Sequence, residues 1–206
     1  QSAGSLATTH EVMARVDRDL RTSGDHESLA TVEHLFEAAL YLGRLSVQVA
    51  SDHRATLSAI GVDGTSTFIL GGQIGDEPPD ILLVYPEGNY IRASDDRPFL
   101  QIGESKYGKF MLDIAVIAHT DLVTSLKIAL GSMMSTARAN LSVGPPYDAA
   151  VYRNDAFDLD EHRFTAESPV LGELREVWER NILNAVGQLP DVGLSELRAA
   201  DGRGPD

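Results

Sequence analysis

Two short polar stretches, Gly103-Glu104-Ser105-Lys106 and Asn140-Leu141-Ser142, bring hydroxyl, carboxylate, amide and amine groups together in the sequence. A serine beside a lysine is one route to a hydrolase, because a neutral amine can take the hydroxyl proton; Ser105 with Lys106 or Lys109 would form such a pair. The first stretch continues to Tyr107-Gly108, one residue too long for the Gly-x-Ser-x-Gly turn that presents a nucleophilic serine. Gly71-Gly72 lacks the Gly-Lys-Ser/Thr ending of a phosphate loop and reads as a turn at a strand end. Asp158, Asp160, Glu161 and His162 offer oxygen and imidazole ligands, yet their spacing fits no calcium loop, and the run reads as a solvated acidic turn. His10, His26, His34, His53 and His119 include no pair at metal-ligand spacing. The expectation is a protein with no metal and no cofactor.

Composition narrows the class. With 206 residues and 43% hydrophobic content, the chain is long enough for one well-buried core. One domain is expected over 1–189, with a mobile tail over 190–206. There are no cysteines, so disulfides and thiolate zinc sites are excluded, and a cytoplasmic location is the expectation. No apolar run approaches the roughly 20 residues that span a bilayer. A formal net charge of −14 repels phosphate backbones and anionic lipid, so neither nucleic acid nor membrane is an expected partner.

The elements that must position these residues follow from periodicity. Thr8 and Glu11 have capping-box spacing ahead of Val12, Met13, Val16 and Leu20, which predicts a first helix. Leu35, Ala38, Leu42, Leu45, Val49 and Leu57 keep a helical period over about 30–59, long or kinked near Ser51. Strands are expected over 65–70, 81–85, 90–93 and 99–102, the middle two joined by the turn Pro86-Glu87-Gly88-Asn89. Helices follow over 108–116 and 121–139, the latter capped by Thr120. Strands over 147–153 and around 163–166, then a helix opened by Ser168-Pro169 and carrying Trp178, complete an α+β layered order.

Four blocks in fixed order carry more information than any of these elements: Phe68–Ile74 (FILGGQI), Tyr85–Tyr90 (YPEGNY), Phe99–Lys109 (FLQIGESKYGK) and Asn140–Pro146 (NLSVGPP). Together they resemble the bacterial proteasome-like subunits called Anbu, a branch of the N-terminal nucleophile hydrolases. The resemblance implies a four-layer α/β/β/α sandwich of two antiparallel sheets, matched from its fourth strand onward, with 1–4 as the end of that strand. The three strands before it, which need roughly 25–50 residues, would carry a threonine nucleophile at the mature start, with an aspartate and a lysine. In this class the threonine's own α-amino group, of pKa near 8, takes the hydroxyl proton. Gln1 cannot do that chemistry, and Thr8 and Thr9 fall on a predicted helix.

Supporting positions carry over residue by residue. Ala3-Gly4 resembles the family's Ala-Gly, where the glycine N–H donates to the oxyanion of the tetrahedral intermediate. Ser2 and Leu6 would flank the pocket for the substrate side chain, with Ala3 beside them. Ser105 or Glu104 falls where proteasomes keep a serine near the threonine amine, and Ser142 matches a second such serine. The aspartate expected shortly before that serine is absent, with Ala139 or Asn140 in its place, and an asparagine supplies no negative charge. The implied activity is a threonine peptidase cleaving peptide or isopeptide bonds inside a homo-oligomer, ring or helical, beside amide-ligase-like proteins. The alternative is a non-catalytic assembly or peptide-binding subunit of the same fold.

Overall fold

The computed structural model describes residues 1–22, 24, 26–190 and 193. They divide into two compact units with the boundary between Thr165 and Ala166. In the first unit, strand β1 (Ser2–Gly4) leads into helices α1 (Leu6–Arg21) and α2 (Leu35–Ala59). The meander β2 (Ser66–Gly72), β3 (Asp80–Val84) and β4 (Tyr90–Arg92) follows, then α3 (Lys109–Ala115), α4 (Leu122–Ala139) and the hairpin β5 (Tyr147–Tyr152) and β6 (Leu159–Phe164). The second unit carries α5 (Pro169–Gly187), with Ser168 before it and proline at the helix start as expected. Most of the expected tail lies outside the described residues.

One antiparallel sheet has the order β1-β2-β3-β4, and β5-β6 form a second. Alternation decides which side of the first sheet is core. Phe68, Leu82 and Val84 are all but fully buried against Val12 and Val16 of α1 and Leu35, Ala39, Leu42, Leu45 and Val49 of α2. The period-3.6 stripes of the two helices thus meet the period-2 face of the sheet, as the α+β sandwich requires.

Several local expectations change. Ser5, not Thr8, caps α1: its hydroxyl accepts from the Thr8 N–H at 3.3 Å, while the Thr8 hydroxyl donates to the Gly64 carbonyl at 2.6 Å. Helix α2 starts at Leu35, where the Glu37 carboxylate reaches back to the His34 N–H at 3.1 Å, and it runs as one continuous helix past Ser51. Asp121 replaces Thr120 as the cap of α4, accepting from the Thr124 N–H at 3.0 Å. No strand forms over 99–102. The chain closes a tight Ser94–Arg97 turn after β4, Pro98 has no N–H to donate, and the segment finds no ladder partner. Gly71 and Gly72 end β2, paired with Ile81 and Asp80, instead of forming a turn. The acidic run at 158–162 is not a loop either: 159–164 is β6, and alternation puts Asp160 and His162 on one face, 3.0 Å apart.

Candidate active site at the end of the first strand

The β1 ladder fixes what Gly4 can do. Gln1 and Ile69 exchange N–H···O bonds of 2.9 Å, and the Ser5 N–H donates to the Thr65 carbonyl at 2.9 Å. In an antiparallel pair only alternate residues bond the partner, so the odd positions face β2. Ser2 and Gly4 therefore turn their N–H groups to the other edge of β1, where the described sheet has no strand. Gly4 is also confined to glycine. Its φ is +108°, and a Cβ there would stand 2.5 Å from the Thr65 carbonyl oxygen. With α1 starting two residues later, the positive end of its dipole adjoins this N–H. An outward N–H at a helix start is suited to an anion or an oxyanion.

A shallow cavity of about 330 Å³ opens here, lined by Ala3, Gly4, Ser5, Asp63, Thr65, Thr67 and Gly103. Sequence reasoning missed Ser5, Asp63, Thr65 and Thr67, which lie at the start of α1 and the entry to β2. The β1–β2 register, which no local pattern shows, is what gathers them. The Thr65 backbone N–H, 2.9 Å from the Asp63 carboxylate, holds that carboxyl below its usual range. It is the acidic group of the lining.

Gly103 brings in the next segment, since a side chain on it would lie 3.6 Å from the Ala3 Cβ. From there Glu104 reaches across 36 residues: its Oε2 accepts from Asn140 Nδ2 at 3.2 Å, and its Oε1 accepts from the Lys106 N–H at 3.0 Å. Asn140 Oδ1 in turn accepts from the Ser142 N–H at 2.9 Å and the Ser142 hydroxyl at 2.7 Å. Glu104, Asn140 and Ser142 are one connected chain of hydrogen bonds. Ser105 is exposed and outside that chain, and Ser2 and Leu6 are exposed beside Ala3 and Gly4. Lys109 does not serve a serine: its Nζ lies 2.7 Å from Asp113 Oδ1 and 5.8 Å from the centre of the Phe99 ring. Among the described residues, no group of three or more histidine or acidic side chains could hold a metal ion.

Solved structures show the same architecture. Over 93% of this chain and 79% of the other, the Anbu (ancestral beta-subunit) from Yersinia bercovieri is 36% identical, with a TM-score of 0.85. The chain belongs to the Anbu family. A helical assembly of the Anbu complex from Pseudomonas aeruginosa gives 35% identity and a TM-score of 0.86, over 93% of this chain and 78% of that one. The Gly-1 mutant of Anbu from Hyphomicrobium sp. strain MC1 gives 36% and 0.83, over 92% and 78%. No protein-family model and no curated protein matches the chain. The α+β sandwich of two antiparallel sheets is thus that of the proteasome-like Anbu subunits, and no described helix is long and apolar enough to cross a membrane.

Proposed function

We propose that this Anbu subunit is part of a threonine-type peptidase that cleaves peptide or isopeptide bonds. The reading rests on one observation: the Gly4 N–H faces away from β2 at a position only glycine can occupy, beside a helix start. A carbonyl bound on the side of β1 away from β2 would meet that N–H as its oxygen gains charge, which is where a donor lowers a barrier rather than merely binding substrate. Ser2, Ala3 and Leu6 would border the substrate side chain. The nucleophile is a threonine at the processed start of the protein, its own α-amino group serving as base, from a segment preceding Gln1. Family chains extend beyond the 78–79% that this chain covers, which leaves room for such a segment.

The subunit is proposed to act in a homo-oligomer. Phe110 and Ile114, four residues apart on α3, are 72% and 65% exposed, and Ile117 follows at 66%. A face of this kind is suited to burial against another copy. A second reading, an assembly or peptide-binding subunit without turnover, is favoured by Asn140, an amide where a proteasome keeps a carboxylate.

The test is the protein purified from its native host, with intact mass, N-terminal sequencing and reaction with a β-lactone acylating agent. A chain starting with threonine and gaining one acyl group on that residue supports the peptidase. A chain starting with threonine that stays unacylated across peptide, isopeptide and β-lactone substrates leaves the second reading.

A further inference from the structure

We infer that Glu104 is the positioning residue for Ser142, acting through Asn140, so that the serine presents its oxygen as an acceptor to a protonated amine. The inference rests on the peptidase reading for the identity of that amine, the α-amino group of the nucleophile. The hydrogen-bond chain itself does not depend on it.

Direction along the chain is fixed by chemistry. The Ser142 backbone N–H can only donate, so the Asn140 atom facing it is the carbonyl oxygen, Oδ1. The amide nitrogen must then face the other way, towards a carboxylate oxygen that, when ionised, can only accept, Glu104 Oε2. Because the Ser142 hydroxyl proton is committed to Asn140 Oδ1 at 2.7 Å, Ser142 Oγ is left to act as an acceptor. Glu104 is held by the Lys106 N–H on its second oxygen, so the carboxylate is fixed at both ends. Asn140 supplies no charge of its own, but a carboxylate on its amide nitrogen polarises the amide and strengthens its carbonyl as an acceptor. Charge absent at position 140 is delivered from position 104. Gly103 places this arrangement beside Ala3 and Gly4, at the cavity edge.

The test exchanges the two groups. Glu104→Gln removes the charge, Asn140→Asp sets two carboxylates about 3 Å apart, and the double variant moves the charge to position 140 while Gln supplies the donor. In isotope-labelled protein, the side-chain amide protons of Asn140 should be well separated, with cross-peaks to the Glu104 side chain. Each single variant should lose the cross-peaks between the two loops, and the double variant should regain them. Asn140 amide protons at free-amide shifts, or a double variant no better than the singles, would overturn the proposal whatever the peptidase does. Where the protein carrying its nucleophile turns over peptide, each single variant should lower kcat about tenfold with KM unchanged, the equivalent of one charge-assisted bond, and the double should recover it. Equal kcat in wild type and singles also overturns it. Intact cross-peaks in a protein that hydrolyses nothing would remove the peptidase reading and leave the positioning in place.

Discussion

Gly43 of α2 lies against the carbonyl of Gly88 in the β3–β4 turn so closely that a Cβ on Gly43 would stand 2.2 Å from that oxygen. The turn, which also holds Gly88 at a φ of +87°, and the middle of the long helix are therefore in backbone contact. Gly43→Ala forces a backbone to move, not just a side chain. A loss of about 3 kcal/mol is expected, at the upper end for overpacking, read as a lower denaturant midpoint at unchanged slope. A variant within 0.5 kcal/mol of wild type would mean that the turn yields freely.

The two N-terminal helices are joined by a polar contact as well as by their apolar stripes. Tyr41 is buried, and its hydroxyl donates to Asp19 Oδ2 at 2.8 Å, which with Arg18 holds the Asp19 carboxyl below its usual range. Burial, with the neighbouring carboxylate, pushes the phenol well above its ordinary value, so Tyr41 stays a donor at any working pH. Tyr41→Phe should cost about 1 kcal/mol at neutral pH. A depressed carboxyl contributes stability above its unfolded pKa and loses it as pH falls through the folded one. The gap between wild type and variant should accordingly close on acidification; a gap constant down to strong acid would show that packing alone is being measured.

What the sequence made legible has a physical pattern. Helices α2, α4 and α5 were readable because their apolar stripes repeat over many turns, β2 and β3 because branched and aliphatic runs are bounded by glycine and proline, and β4 because the Pro86–Asn89 turn returns the chain into it. Strand β6 was readable only at its end: it is expected around 163–166 and runs over Leu159–Phe164, because Leu159-Asp160-Glu161-His162-Arg163 is exposed throughout and shows no alternation of burial. The start of α1 was misplaced because Thr8 and Glu11 imitate a cap that Ser5 makes. At the site, Gly4 and the polar stretches could be picked out by resemblance. The Glu104–Asn140 bond spans 36 residues and is set by how the loop after β4 packs on β1, which no local spacing encodes.

A pH effect of opposite sign is expected where α2 begins. His34 Nδ1 meets the Glu77 carboxylate at 2.6 Å, and that bond, with Glu37 and Glu33 nearby, raises the histidine pKa. A raised histidine contributes stability that is fully present below its unfolded pKa of about 6.5 and is lost as pH rises through the folded value. Glu77→Gln should therefore be less stable than wild type at about pH 6 and equal to it well above the raised pKa. Thermal melts at both pH values check this, and a difference that grows with pH would contradict it.

Gln73 carries the strongest test of how the hairpin is attached to the first sheet. Its Oε1 accepts from the Tyr152 hydroxyl at 2.7 Å and the Asp155 N–H at 2.9 Å, while its Nε2 donates to Asp155 Oδ1 at 2.7 Å. Asp155 sits at a φ of 62°, a conformation that needs such outside support in a non-glycine residue. Gln73→Leu removes all three bonds and should cost about 2 kcal/mol, since the exposed Asp155 recovers part of the loss from water while the half-buried Tyr152 hydroxyl recovers less. Gln73→Glu keeps an acceptor for Tyr152 and the Asp155 N–H but sets a second carboxylate against Asp155. If the donor to Asp155 is what holds the turn, the glutamate should be the worse substitution at neutral pH and should improve on acidification, as one of the two carboxyls takes up a proton. A glutamate variant as stable as wild type at neutral pH would show instead that the two accepted bonds alone hold the hairpin.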